Sequence, residues 1–461
     1  MENKAKGNFG EGNVTHLILK LALPIMAAEV VHVLYNIVDR IFIGHLPGVG
    51  TAALTGVGIA FPLITLVTAF ANFFVTGGST IASISRGEGN NEKAQKVIET
   101  SFTACIILGA MLTTVFLIFC KPLLNAMGGE PETLPYAVEY FKIYSLGCIP
   151  VMISLGMNNF ITAQGFASTG MFTVIIGAAL NIGLDPLLMY TFDMGIKGAA
   201  VATVISQSVS AVWVILFLTG KKPIVPVRKL LIDWPVLVEI VKLGITGFVF
   251  RATTSLTQAV VNITLKTFGG PMSMVYIGSM SIINSAKEMG AIPVNGLGSG
   301  YVPVTSYNYG AKLWDRLDKA IGVGTRFAIA LSGVIWLVFL LFPGQLSRLF
   351  TEDELLIETA IPCLRIHFLF FVLMGLQVVG QNTFVALNYP KYAMFFSLLR
   401  KIIVILPLTL ILPRVGMGVM GVFWAEAISN IVGGLAAFST MYTVIWKKVK
   451  KLAAGDTSVT V

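Results

Sequence analysis

Ser83–Lys96 reads Ser-Ile-Ser-Arg-Gly-Glu-Gly-Asn-Asn-Glu-Lys-Ala-Gln-Lys, and Ser306–Lys319 reads Ser-Tyr-Asn-Tyr-Gly-Ala-Lys-Leu-Trp-Asp-Arg-Leu-Asp-Lys. Gly87 falls on Gly310, a shift of 223. The same shift carries Phe119 to Phe342, Lys142 to Arg365, Asn159 to Asn382 and Ser206 to Ser429. It also carries Met194-Gly195-Ile196-Lys197-Gly198 to Met417-Gly418-Val419-Met420-Gly421. A gapless register held over so much chain marks an internal duplication.

The segments flanking these polar stretches are apolar. Of 461 residues, 55% are hydrophobic and 12% charged, against about 25% charged in a soluble domain. The missing charge implies a surface that faces lipid. A span needs about 20 apolar residues, and about twelve such runs occur, from 17–44 at one end to 418–446 at the other. Barrel strands would instead alternate over about ten residues. The expected fold is therefore all-α: a polytopic membrane protein with twelve transmembrane helices in two six-helix lobes. An even number of spans per repeat places the pseudo-two-fold axis along the membrane normal. The expected division is residues 1–219, a cytoplasmic linker at 220–235, and residues 236–461. Parallel repeats of this kind typify transporters with a site between the halves.

Basic residues set the orientation. With the N-terminus inside, the inner segments collect Lys4, Lys6, Arg86, Lys93, Lys96, Lys221, Lys222, Arg228, Lys229 and the Lys447–Lys451 cluster. The outer segments hold Lys121, Lys197, Lys266, Arg348 and Arg414. This bias puts both termini in the cytoplasm. It also accounts for the net charge of +9 without a nucleic-acid partner, since the cations lie between apolar runs and form no single patch.

Several chemistries are excluded. Cys105, Cys120, Cys148 and Cys363 fit neither a disulfide framework nor a zinc site. With only His16, His32, His45 and His367 there is no metal-spaced Cys/His set, no G-x-S-x-G and no Walker A loop. A membrane-embedded enzyme is thus a distant alternative. No cofactor is expected, and the first apolar run, which carries Glu29 and Asp39, does not read as a cleavable signal peptide.

Charges inside a bilayer are costly and tend to be functional. The first run carries Glu29, His32, Asn36 and Asp39 at spacings of 3, 4 and 3, which reads as a polar stripe. The fifth carries Asn181 and Asp185, four apart, with Pro186 next. Counted from their helix starts, Asp39 and Asp185 lie at similar depth. Two carboxylates in one dry pocket cannot both ionise cheaply, so the pair reads as a site for a coupling proton or sodium ion, with help from Asn181 and Asn36. The repeat shift takes Asp39 to Asn262 and Asp185 to Leu408, so this site is not duplicated. The second half offers Arg251, Gln258 and Glu288. Glu288 either pairs with Arg251 or meets a cationic substrate; Glu426 reads as structural. Glu29 and His32 are cavity candidates, His32 also as a proton relay.

Taken together, Pro24, the run Tyr35-Asn36-Ile37-Val38-Asp39-Arg40-Ile41-Phe42-Ile43-Gly44, Ser85–Asn90, and Asn181-Ile182-Gly183-Leu184-Asp185-Pro186 resemble the multidrug and toxic compound extrusion (MATE) family over essentially the whole chain. The likeness is greatest to its DNA-damage-inducible (DinF) branch and, within it, to MepA-like exporters. The resemblance implies a V-shaped two-lobe fold. It implies alternating-access antiport of small, often lipophilic and cationic, organic compounds against protons or sodium across a bacterial cell membrane. It assigns the coupling roles to Asp39, Asn181 and Asp185, and matches Glu288 to an eighth-helix Glu. If the coupling ion is sodium, Asp39, Asn181 and Asp185 are its expected site; the acids that build a C-lobe sodium site in another branch of the family are replaced here by Ser255 and Gln258 on the seventh helix and by Gln377, Gln381 and Asn382 on the tenth. Small molecules and lipid are the expected partners, with the chain a monomer. The runner-up is a lipid-linked saccharide flippase of the same superfamily, which would need a more cationic cavity than Arg251 alone provides.

Overall fold

The computed structural model describes residues 9–47, 49–127, 131–456 and 458–459, with only the backbone of Thr51 and Ser255. Lys4 and Lys6 lie outside the described residues. Every regular element among the described residues is helical. In lipid, a helix satisfies its backbone N–H and C=O groups within one segment, so apolar runs of this length settle as helices.

Among the described residues, eight helices are long and apolar enough to cross a membrane unaided. They are α1 (Val14–Gly44), α2 (Ala52–Gly87), α3 (Asn91–Ile118), α5 (Ala167–Thr191), α6 (Ile196–Thr219), α9 (Trp314–Leu341), α11 (Pro390–Ile411) and α12 (Met420–Ala453). Two bent pairs add α4 (Leu134–Leu146 with Cys148–Ala163, 59°) and α10 (Glu354–Phe368 with Val372–Ala386, 48°). The long helices α7 (Trp234–Phe268) and α8 (Ser273–Gly310) complete the expected set. Both carry charge along their length, at Arg251 and at Lys287-Glu288.

The repeat read from sequence recurs in the helices. Asn91 begins α3 and Trp314 begins α9; Ala167 begins α5 and Pro390 begins α11. Both pairs are 223 apart. The breaks in α4 and α10, and the short helices Cys120–Ala126 and Pro343–Arg348, correspond in the same way.

The chain forms two compact units, each with its own core. In the first, Phe102, Phe141 and Phe160 are buried, and the rings of Phe116 and Phe141 lie 5.1 Å apart. In the second, Phe339 packs against Phe368 and Phe371, with centroids 4.0 and 5.8 Å away.

Unit 1 takes in Leu23–Gly244, whereas Gly10–Ala22 groups with Ile245–Val461. The linker itself is strapped to unit 1 by hydrogen bonds. Glu99 Oε1 accepts from the backbone N–H of Arg228 (2.8 Å) and Lys229 (3.1 Å). Thr103 Oγ1 and Thr100 Oγ1 accept from Leu231 and Asp233, and Gln164 Oε1 from Val225. Glycines seat the exchanged helix starts. A Cβ on Gly77 of α2 would lie 2.1 Å from the Ile240 carbonyl oxygen of α7. A Cβ on Gly300 of α8, the repeat equivalent, would lie 2.8 Å from the Ile18 carbonyl oxygen of α1. Only glycine allows backbones so close.

Candidate cation-coupling site

Within unit 1, α1 and α5 bring two acids together. Asp185 is fully buried and Asn181 nearly so, because both point from one face of α5 into the lobe. Asp39 of α1 is half-buried. The carboxyl groups of Asp39 and Asp185 stand within hydrogen-bonding reach of each other. Asn181 Nδ2 donates to Asp185 Oδ1 at 3.1 Å. Among the described residues, three buried oxygens around this contact accept no hydrogen bond: Asp39 Oδ1, Asn181 Oδ1 and Asp185 Oδ2.

Unpartnered buried acceptors are rare, and each costs desolvation. Acceptors from two carboxyls and an amide suit a bound positive charge. A proton between the carboxyls would relieve the repulsion that keeps both from ionising. A sodium ion would be met by hard oxygen donors, which suit it. Among the described residues no group of three or more His, Cys, Asp or Glu could hold a metal ion.

The fold supports this contact from both sides. Pro186 lacks an N–H, so the carbonyl four residues back loses its helical donor; the helix continues as a π-helical turn, Leu187–Thr191. Beside Asn181 lies a cavity of about 30 Å³, bordered by His32, Tyr35, Asn181, Ser206, Gln207 and Ser210, room for about two waters. Ser206 Oγ, buried there, also lacks a partner among the described residues. His32 and Tyr35 meet edge to face at 5.1 Å.

Other sequence candidates fall elsewhere. Asn36 turns its amide onto its own helix, donating to the His32 carbonyl at 2.7 Å with His32 Nδ1 at 3.4 Å. Glu29 is exposed, away from the acid pair. In unit 2, Gln258 is half-buried and donates to Asn262 at 3.2 Å. Arg251 and Glu288 are both exposed. The neighbouring Lys287 is the one that turns inward, to Glu426. Sequence reasoning passed over Lys287, Arg400 and Lys401, whose only signal was that each is a cation inside an apolar run. It also passed over Tyr35, quoted as part of a motif but given no role.

Comparison with known proteins adds a consistent picture. The MatE family profile matches residues 24–187 and 252–411, one match in each repeat. The multidrug export protein MepA of Staphylococcus aureus is 26% identical over 440 residues, covering 94% of this chain and 95% of its own. MepA of Staphylococcus haemolyticus is 24% identical over 438 residues, covering 95% of each. Among solved structures, a MOP superfamily transporter from Pyrococcus furiosus superposes with a TM-score of 0.88 at 24% identity, covering 96% of this chain and 98% of that one. A MATE protein in a bent conformation gives 0.90 at 23%, covering 97% and 99%. These two structural likenesses establish the fold.

Proposed function

Since the chain belongs to the MatE family, a family of membrane transporters and not of enzymes, we propose that it exports small organic compounds, often cationic, by antiport against protons or sodium. The curated relatives are multidrug export proteins by name, which supports the substrate class. The observation that carries the coupling role is the set of three unpartnered buried oxygens on Asp39, Asn181 and Asp185.

The cycle follows from that geometry. With the cation absent, two facing carboxyls carry more negative charge than a dry pocket tolerates. Cation binding removes the repulsion and lets α1 and α5 draw together. Cation release reverses it. Because the two acids sit on different helices, the charge state of the pair biases which arrangement of α1 against α5 is stable. A cation shifts that balance only by its difference in affinity for the two states. The π-helical turn beyond Pro186 is the compliant element beside the site. The excess of basic residues in the inner segments supports cytoplasmic termini and a bacterial cell-membrane location, and the chain acts as a monomer.

The test is efflux of a fluorescent organic cation from proteoliposomes, with proton and sodium gradients imposed separately. One of the two gradients should drive transport, and Asp39→Asn and Asp185→Asn should each abolish the driven component. Transport unresponsive to both gradients, or intact in both variants, refutes the proposal.

A further inference from the structure

Unit 2 buries a cluster of charges that the export cycle above does not use. Glu426 on α12 is its acid. Glu426 Oε1 accepts from Arg400 Nη2 at 2.6 Å and from Lys287 Nζ. Arg400 Nη2 also donates to Asn430 Oδ1 at 2.9 Å, and its Nε to Ser429 Oγ at 3.2 Å. Lys401, the next residue, is only 6% exposed. It lies within electrostatic reach of Lys287, Arg400 and Glu426, yet among the described residues its ammonium has no hydrogen bond or ion pair. His367 is 5% exposed and shares the same field, with neither ring nitrogen partnered.

Three basic side chains thus gather about one carboxylate, two of them in contact with it. A buried charge without a counter-charge is costly, and a helix of lipid-facing residues offers no relief. The local backbone keeps the arrangement in place. Arg400 and Lys401 lie in a π-helical stretch, Leu399–Ile405, just before Pro407; such wide turns recur at functional sites. It buries both neighbours, which an α-helix, turning by about 100° per residue, would tend to point apart.

We propose that this cluster is a binding site for one small monovalent anion of the halide class, held by Arg400 and Lys401 with a His367 N–H as a further donor. The charge excess calls for an anion. The unpartnered Lys401 ammonium and His367 ring supply donors for it. The near-complete burial of Arg400, Lys401 and His367 limits the occupant to an ion and rules out a drug-sized carboxylate. All of these groups belong to unit 2, so the site stands or falls separately from Asp39 and Asp185.

The experiment uses the full-length protein in detergent. Unfolding is followed by a thiol-reactive fluorophore, since Cys105, Cys120, Cys148 and Cys363 are all buried and free. Sodium chloride is exchanged for sodium gluconate at constant sodium and ionic strength. The midpoint should rise with chloride and saturate, with bromide or nitrate able to replace it. Lys401→Met should lose the saturable rise, and Asp185→Asn should keep it. A wild-type midpoint indifferent to all three anions overturns the proposal, as does an unchanged curve in Lys401→Met; a neutral Lys401 needing no counter-ion would give that result. Radiolabelled chloride binding to the wild type needs no variant: a displaceable ion bound once per chain supports the site, and no displaceable binding sinks it.

Discussion

Glu426→Gln probes the second lobe directly. Its Oε1 is shared by Arg400, at 2.6 Å, and by Lys287, and the Arg400 and Glu426 side chains are 4% and 9% exposed. Removing this charge while both cations stay strands them in an apolar interior. Breaking a buried ion pair from one side costs about 3–5 kcal/mol. At roughly 2–4 °C per kcal/mol for units of 150–250 residues, the unfolding midpoint should fall by roughly 6–20 °C. The cysteine-reactivity assay measures this without a functional readout. The double change Glu426→Gln with Lys287→Met should recover part of the loss, because the unpaired ammonium is then gone as well. If Glu426→Gln unfolds within about 2 °C of the wild type, the three groups do not act as a buried network.

Three further outcomes are expected. Asn181→Leu should preserve folding but weaken coupling-cation affinity about tenfold, the scale of one lost contact of about 1.4 kcal/mol, read as the half-saturating cation concentration for efflux. Gly77→Ala should destabilise by about 1–3 kcal/mol through overpacking, whereas Gly58→Ala, whose added Cβ meets nothing within 4 Å, should be near neutral; equal midpoints would contradict the close α2–α7 approach. In folded protein, maleimide should leave all four cysteines unmodified while the unfolded chain labels fully, and one fast-reacting thiol in the native state would contradict their burial.

Much of the architecture was legible because duplication and hydropathy are properties of long stretches. The 223-residue register read from sequence recurs in the helix starts, Asn91 with Trp314 and Ala167 with Pro390. The Asp39–Asp185 meeting was legible because depth along a helix follows from residue count. Helix rotation was less so. Glu29 is ten residues from Asp39, and at about 100° per residue it ends about 80° around the helix, far enough to sit outside the contact. Lys287 and Glu288 are neighbours on an apolar helix, so nothing local said which would turn inward. Arg400 and Lys401 were submerged in an apolar run, and the π-helical turn that buries both has no clear pattern of its own. The docking of the linker was not legible, because the contacts holding it are made by Glu99, Thr100, Thr103 and Gln164, side chains remote in the chain.

The exchanged helix starts bear on how the protein is made. Neither repeat is complete by itself: the first takes in the opening turns of α7, and the second takes in Gly10–Ala22, far upstream in the chain. During synthesis the leading residues must therefore wait, unseated, until Gly300 has been translated. A gene cut at the linker would yield two polypeptides that each lack a helix start and each expose an empty glycine seat, so the halves should mature only when produced together.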